Sequence, residues 1–195
     1  MADAKHSRAD TPDWLTGQLL IAMPAMEDPR FVQSVIYVCS HNGEGAMGVV
    51  LNRPLRAPKF SDLMHQLGVE PSPPQRELAL GTGGPVDETR GFVLHSADWL
   101  CDTSLRVDAD RALSASLDIL QAVAAGGGPA QARLLLGYAG WGAGQLDAEM
   151  RQNVWLSTTA DDALIFDTAY TTKWQRALGK LGIDPGMLSG AAGRA

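Results

Sequence analysis

The sequence predicts a single α/β (α+β) domain built on a mixed, partly antiparallel sheet with helices packed on its faces. Short apolar runs rich in β-branched and aromatic residues, such as 31–40 (FVQSVIYVCS) and 47–52 (MGVVLN), are bounded by glycine turns and read as strands. Residues 110–125 carry apolar side chains three and four apart and read as an amphipathic helix. Strand and helix signals interleave without strict βαβ alternation, and hairpin signals dominate the first half, which favours a sheet that is only partly parallel.

Taken in order, residues 1–13 are polar and mixed in charge, bury little, and are expected to be a disordered tail ahead of one domain over 14–190. Residues 17–23 form an apolar run between Gly17 and Pro24, short enough for a buried strand. After the loop PAMEDPR, the strand over 31–40 and that over 47–52 flank the turn HNGEGA and should pair as a hairpin. Ser61 is placed to cap a short helix that ends at Gly68. Residues 78–81 and 91–96 read as a second hairpin around GTGGPVDETR.

The helix over 110–125 should bury Leu113, Leu117, Leu120 and Val123 and expose Arg111, Ser114, Asp118 and Gln121, with Asp108 or Asp110 as its cap. Residues 133–138 read as a strand, and the glycines that follow, Gly137, Gly140, Gly142 and Gly144, as a tight loop leading into a helix over 145–152. A strand over 154–157, a helix over 172–181 stopped by Gly182, and a loose GAAGRA end complete the chain.

Composition limits the function classes. The chain of 195 residues, 45% hydrophobic and 19% charged, suits one core. Sixteen basic against 22 acidic side chains give −6, which argues against nucleic acid as a partner because that affinity comes from neutralising phosphates. Cys39 and Cys101 are the two cysteines and form no C-x-x-C pair, so a reducing cytoplasm is expected. No apolar run approaches the ~20 residues that cross a bilayer, so no membrane association is expected.

Three blocks then stand out: GQLLIAMPAMEDPRFVQSVIYVCSHNGEGAMGVVLNRP, GGPVDETRGFVLHS and LGYAGWGAGQLDAEMRQNVWL. Together, and in this order, they resemble the YqgE/AlgH family of bacterial proteins, over nearly the whole chain from Leu15. The resemblance implies a single cytoplasmic α/β domain with a mixed sheet and, through the family name, a link to regulation of alginate production. It implies no reaction, cofactor or catalytic residue. Two positions depart from the family pattern: Ser40 stands where an acid is usual between the cysteine and the histidine, and Asp147 where the usual residue is glutamate.

Side chains with possible chemistry are few. Cys39 and His41 form the minimal activated nucleophile, but spacing alone does not make a hydrogen bond, and a free cysteine is most often core. His41, His65 and His95 lack metal-ligand spacing, and the glycines of GTGGPVDETRG are not followed by the Lys-Ser/Thr of a phosphate loop, so no metal and no cofactor is expected. Gly83, Gly84 and Pro85 suit either a tight connection or a backbone nest for an anion, with Arg90 close in sequence and Arg53 of NRP adding a second positive group if the hairpin ends meet.

Tyr138 and Trp141 are packing anchors or, if exposed together, a docking surface; Gln145, Asp147 and Glu149 suit a helix start. The leading expectation is therefore a non-enzymatic regulatory or binding module. It would take a protein or small anionic ligand on a surface made by Pro24, Asn52, Arg53, Pro54, Gly83, Gly84, Pro85, Arg90, Tyr138, Trp141 and Gln145. One alternative is an enzyme or anion-binding protein acting on a phosphorylated or thiol-reactive substrate through Cys39, His41 and Arg90. The other, sequence-specific DNA binding, lacks a helix-turn-helix.

Overall fold

A computed structural model describes residues 14–188; the 1–13 tail and the GAAGRA end lie outside the described residues. The elements run β1 (Gln18–Ala22), β2 (Val35–Asn42), β3 (Gly45–Val50), α1 (Phe60–Gln66), β4 (Ala79–Thr82), β5 (Val86–Ser96), β6 (Leu105–Arg106), β7 (Arg111–Ser114), α2 (Leu117–Ala124), β8 (Ala132–Gly142), α3 (Gln145–Arg151), β9 (Trp155–Thr159), α4 (Asp162–Phe166), α5 (Tyr170–Lys180) and α6 (Pro185–Leu188). The strands form one sheet in the order β6-β7-β5-β8-β3-β2-β1-β9, with β4 also paired to β8. Every pairing is antiparallel except β4 with β8. The expected single domain with a mixed, partly antiparallel sheet is what folds, and the sheet is largely antiparallel.

Both faces of the sheet are covered, which is why β1 and β2 read as continuous apolar runs rather than alternating ones. Leu19, Ile21, Tyr37 and Leu135 pack against Trp174, Ala177 and Leu178 of α5 on one face. Leu20, Ile36, Val38 and Ala139 pack with Trp141, Leu146 of α3 and Trp155 in a second cluster. Phe60, Met64, Ile119 and Val123 bring α1 and α2 onto Leu134 in a third. Leu135 and Tyr138 reach the same cluster although their positions differ in parity. Gly137 between them, at φ +72°, changes the phase of the strand, a conformation glycine adopts without the Cβ penalty.

The first hairpin forms as expected, β2 pairing β3 with Ile36 opposite Val50 and a bulge between Val38 and Ser40. Residues 31–33, assigned to that strand by their composition, instead belong to the turn before it. The second expected hairpin is corrected: β4 and β5 do not pair with each other but lie on opposite sides of β8, parallel and antiparallel to it. Turn signals locate a reversal but not a third strand, almost 40 residues later, that inserts between the two arms.

The helix over 110–125 is also corrected. Residues 111–114 are strand β7, wholly buried, with Leu113 opposite Leu94. The helix begins at Leu117 after Ser116, and it buries Ile119, Leu120, Val123 and Ala124 while Leu117 is 49% exposed. Leu113 satisfies the 3–4 spacing by chance; its sheet pairing wins. Arg111, expected in solvent, is buried because it is held by two carboxylates, Nη1 2.9 Å from Asp108 Oδ2 and Nη2 2.8 Å from Asp162 Oδ1. Ser114 is buried as a hydrogen-bond partner of His95 Nε2 at 2.9 Å. The α1 helix starts one residue before the expected Ser61 cap, with Lys59 at the cap position and its amide donating to Asp62 Oδ2 at 3.1 Å. Residues 162–166 form a helix that the sequence reading omits, capped by Asp161 Oδ1 accepting from the Leu164 amide at 2.8 Å.

Asp108 ties the sheet to its edge. Its Oδ2 accepts from the Tyr37 hydroxyl at 2.6 Å and its Oδ1 from the Asp110 and Arg111 amides at 2.8 Å. Burial opposes the charge, but the donors of Tyr37, Asp110 and Arg111 outweigh it and hold the carboxyl below its ordinary range. A carboxylate depressed in the folded state contributes stability that is present above its unfolded pKa of about 3.9 and is lost as pH falls through the folded value. Urea unfolding at stepped pH is therefore expected to show constant stability near neutrality and a fall below about pH 4. Asp108→Asn is expected to cost on the order of 1–3 kcal/mol at pH 7 and to make that acid fall shallower; an unchanged acid profile would remove Asp108 from its cause.

Candidate binding surface

The surface is built around β8. On leaving β4, the chain must cross β8 to reach β5 on its far side, and it does so through Gly83, Gly84 and Pro85. The crossing is backbone against backbone: a Cβ on Gly83 would stand 2.2 Å from the Gly137 carbonyl oxygen, and one on Gly84 2.1 Å from the Tyr138 carbonyl carbon. The two glycines are thus required by a close passage, which accounts for them without an anion nest. The turn at Asn52, Arg53 and Pro54 lies alongside, because the Thr82 amide donates to the Arg53 carbonyl at 2.8 Å, Val50 N–H donates to Gly83 O at 2.8 Å, and Pro54 is bridged to Gly81.

The glycine-rich stretch after Gly137 departs from expectation. Strand β8 continues to Gly142, with Gly45 opposite Gly142, Ala46 opposite Trp141 and Met47 opposite Gly140. Only Ala143 and Gly144 remain to turn into α3, and of Gly140, Gly142 and Gly144 only Gly144 has a left-handed φ, +69°. The steric requirement falls on β3 rather than on these glycines: a Cβ on Gly45, at φ +144°, would meet the Trp141 carbonyl oxygen at 2.3 Å, whereas one on Gly140 would meet the Tyr138 ring first, at 3.2 Å, and one on Gly142 only Gln145 Oε1 at 3.8 Å.

Trp141 is consequently a strand residue, 7% exposed, in T-shaped contact with Trp155 at 6.0 Å. Glu149 Oε2 accepts from both indoles, Trp141 Nε1 at 2.9 Å and Trp155 Nε1 at 2.8 Å, and its Oε1 accepts from Gln145 Nε2 at 2.9 Å. One carboxylate thus satisfies two buried N–H groups, so Glu149 has a structural role beyond favouring the helix start.

Three hollows run along this region and share their walls. One of about 350 Å³ lies between Arg30, Arg53, Pro54, Pro85 and Glu88. The next, about 440 Å³, shares Arg30 and Pro85 and is lined by Phe31, Trp141, Gln145 and Glu149. The third, about 530 Å³, meets the second at Val86, Gly140 and Trp141 and extends to Arg90, Phe92 and Tyr138. The three sequence blocks therefore converge on one band.

Arg90 is exposed on the 87–90 bulge of β5, where the register with β8 jumps, and its guanidinium lies over the Phe92 ring at 5.1 Å. Pro24 is exposed but lines none of the three hollows; Asp28, Pro29 and Arg30 from the same loop do. Asn52 is buried, its side chain accepting from Val35 N at 3.0 Å and donating to Gln33 O at 2.8 Å, so it straps the turn. Arg30, Phe31, Val86 and Glu88 belong to the band and escape the sequence reading. The acid and arginine in PAMEDPR are the available signal for Arg30, while Val86 and Glu88 lie inside the GGPVDETR block.

Cys39 and His41 do not form a nucleophilic pair. Cys39 is in the core, its thiol pushed up by burial, with Sγ 3.6 Å from the Tyr37 carbonyl oxygen. His41 Nδ1 accepts from the Leu15 amide at 3.2 Å, and Nε2 is 3.5 Å from Asp147 Oδ2. His41 thus anchors the start of the domain, and Asp147, one of the two departures from the family pattern, faces it. Cys101 is the more accessible thiol, drawn down to about 7 by hydrogen bonds from Ser104 and then Thr103. Among the described residues, no group of three or more His, Cys, Asp or Glu side chains is placed to hold a metal ion. No described helix is long and apolar enough to cross a membrane.

The fold defines a one-domain α+β protein organised on a central strand shared by two halves of a curled sheet. The chain belongs to the AlgH-like family: the model described as DUF179, AlgH-like, matches residues 19–186. It is 52% identical over 182 residues to a UPF0301 protein of Rhodospirillum rubrum, covering 93% of this chain and 95% of that one. It is 55% identical over 190 residues to a UPF0301 protein of Methylocella silvestris, covering 93% and 92%. The solution structure of the AlgH protein from Pseudomonas aeruginosa matches with a TM-score of 0.76 at 41% identity over 97% of this chain and 100% of that one. A crystal structure from Corynebacterium diphtheriae, at 20% identity over 89% of this chain and 90% of that one, shares the fold with a TM-score of 0.68.

Proposed function

We propose that the protein is a non-catalytic regulatory module of the cytoplasm that binds a polypeptide segment bearing acidic and apolar side chains along the three-hollow band. The observation that carries this reading is the convergence of the NRP, GGPV and GYAGWGAGQ blocks on hollows that share walls. Arg53 and Arg90 stand at the two ends of the band, Arg30 between them is already paired with Asp28 Oδ2 at 2.6 Å, and Val86, Phe92 and Tyr138 supply apolar lining. A long hollow with separated cations suits an extended chain better than one compact metabolite. Two free thiols support a reducing compartment. The enzyme alternative through Cys39 is disfavoured because burial removes the thiolate that such chemistry needs.

Affinity co-purification with Val86→Arg and Arg90→Glu tests the reading, with Leu105→Arg as a control at another exposed apolar residue, on the edge strand β6. A partner retained by the wild type and by Leu105→Arg, and lost at least about tenfold from both band variants, is the expected result. Equal retention by all four proteins would overturn it.

A further inference from the structure

The sheet ends at β9, and that end is open. Two other margins of the sheet are blunted. β6 is two residues long and carries Arg106, and the far side of β4 is occupied by the NRP turn, the Thr82 amide donating to the Arg53 carbonyl at 2.8 Å and the Leu55 amide to the Leu80 carbonyl at 2.9 Å. β9 (WLSTT) has no charge, no proline and no bulge, the devices that ordinarily keep a sheet edge from pairing.

The register shows which of its backbone groups are unused. Met23 N–H donates to the Val154 carbonyl at 3.1 Å, and Ile21 and Leu19 of β1 stand opposite Leu156 and Thr158. The N–H and C=O groups of Leu156 and Thr158 therefore face β1, and those of Trp155, Ser157 and Thr159 face away from the sheet. The Thr159 carbonyl is occupied, accepting from Lys180 Nζ at 2.7 Å, and Lys180 is paired with Asp161 at 2.6 Å. Among the described residues, nothing bonds the amide or the carbonyl of Trp155 or of Ser157. A short run of free donors and acceptors remains, closed at one end by a neutralised ion pair.

Any strand can bond to such an edge, but a second copy of β9 fits it row by row. Placed antiparallel about a two-fold axis at Leu156, the free groups satisfy one another: Trp155 exchanges both N–H···O bonds with Ser157 of the second copy, and Ser157 with Trp155 of the second copy. Leu156, half-buried against the core cluster that α5 covers, then faces Leu156 of the second copy in the row without hydrogen bonds, where opposed side chains come closest. Val154 stands opposite Thr158. No charged residue enters the pairing, so two chains of net charge −6 meet through a neutral strand.

We propose that two copies of the chain associate through β9, their sheets joining into one across a two-fold axis at Leu156. A pairing confined to one five-residue strand covers less than the ~1,200 Å² of a stable interface, so the association is weak and concentration-dependent. The contact uses the backbone edge of β9 and does not rest on the peptide-binding reading, since its readout is self-association of the purified chain.

Sedimentation velocity on the full-length protein, from about 10 μM to about 1 mM, is expected to show a reversible monomer–dimer equilibrium. Ser157→Pro removes an N–H that points away from β1, which an edge strand tolerates. It is expected to weaken dimerisation at least about tenfold, because one hydrogen bond is lost from each copy. Leu156→Cys and Thr158→Cys provide the test if Ser157→Pro does not fold, each in a Cys101→Ser background because Cys101 is the more accessible native thiol. Oxidation of Leu156→Cys is expected to give a covalent dimer, since the axis brings the two substituted positions within disulfide reach. Thr158→Cys, opposite Val154 of the second copy, is expected to stay monomeric under the same oxidation. A chain that is monomeric throughout the concentration range, a dimer undiminished in Ser157→Pro, or cross-linking from Thr158→Cys as readily as from Leu156→Cys would overturn the proposal.

Discussion

Replacing Trp141 with alanine is expected to lower the stability of the domain by about 3–5 kcal/mol, the range for truncating a buried large aromatic. For a chain of this size that is a fall in melting temperature of roughly 6–20 °C. Three losses combine. The ring leaves a cluster that includes Leu20, Ile36, Ala139 and Trp155. The edge contact with Trp155 disappears. Glu149 Oε2 retains one indole donor of its two. On an exposed docking surface, where the leading expectation from sequence places Trp141, the same substitution would leave the melt nearly unchanged. One thermal melt separates the two: a shift under about 2 °C, which corresponds to less than ~1 kcal/mol for a chain of this size, would contradict the packing role described above.

Gly84→Ala is expected to cost on the order of 4 kcal/mol or more, in the range that marks a broken structural requirement rather than an ordinary core change. The new methyl would stand 2.1 Å from the Tyr138 carbonyl carbon and 2.4 Å from the Ala139 amide nitrogen, and backbone cannot turn aside as a flexible side chain can. The residue also sits at φ +151°, where L side chains are rare. Soluble yield and urea unfolding give the measurement. A variant with wild-type stability would mean that the chain between β4 and β5 does not cross β8 at van der Waals distance.

Both results bear on how far the sequence was legible. Local chemistry placed the first hairpin, α3, α5 and the Gly182 stop, because each depends on residues within a few positions of one another. It did not place β4 and β5 on opposite sides of β8, since that arrangement depends on a strand far along the chain. It read the glycines after Gly137 as a loop because glycine is unfavourable in regular structure; the pairing of β8 with β3, which keeps Gly140 and Gly142 in a strand, joins residues far apart in the chain. Arg111 and Arg133 were illegible as buried residues for a similar reason. One is held by Asp108 and Asp162, the other stacked on Tyr170, and both partnerships are long-range. The NRP and GGPV turns could be expected to meet because turns at strand ends cluster, and they do meet; Pro24, expected with them, gives way to Pro29 and Arg30.

The central claim, that a partner polypeptide lies along the band of hollows, is tested most directly by site-specific photo-cross-linking. A benzophenone-bearing residue placed at Val86, where the second and third hollows meet, is expected to cross-link one protein in cells of the native host. The same group at Leu105, outside the band, is expected to cross-link none. Cross-linking from Leu105 but not Val86, or no product from either, would contradict the account.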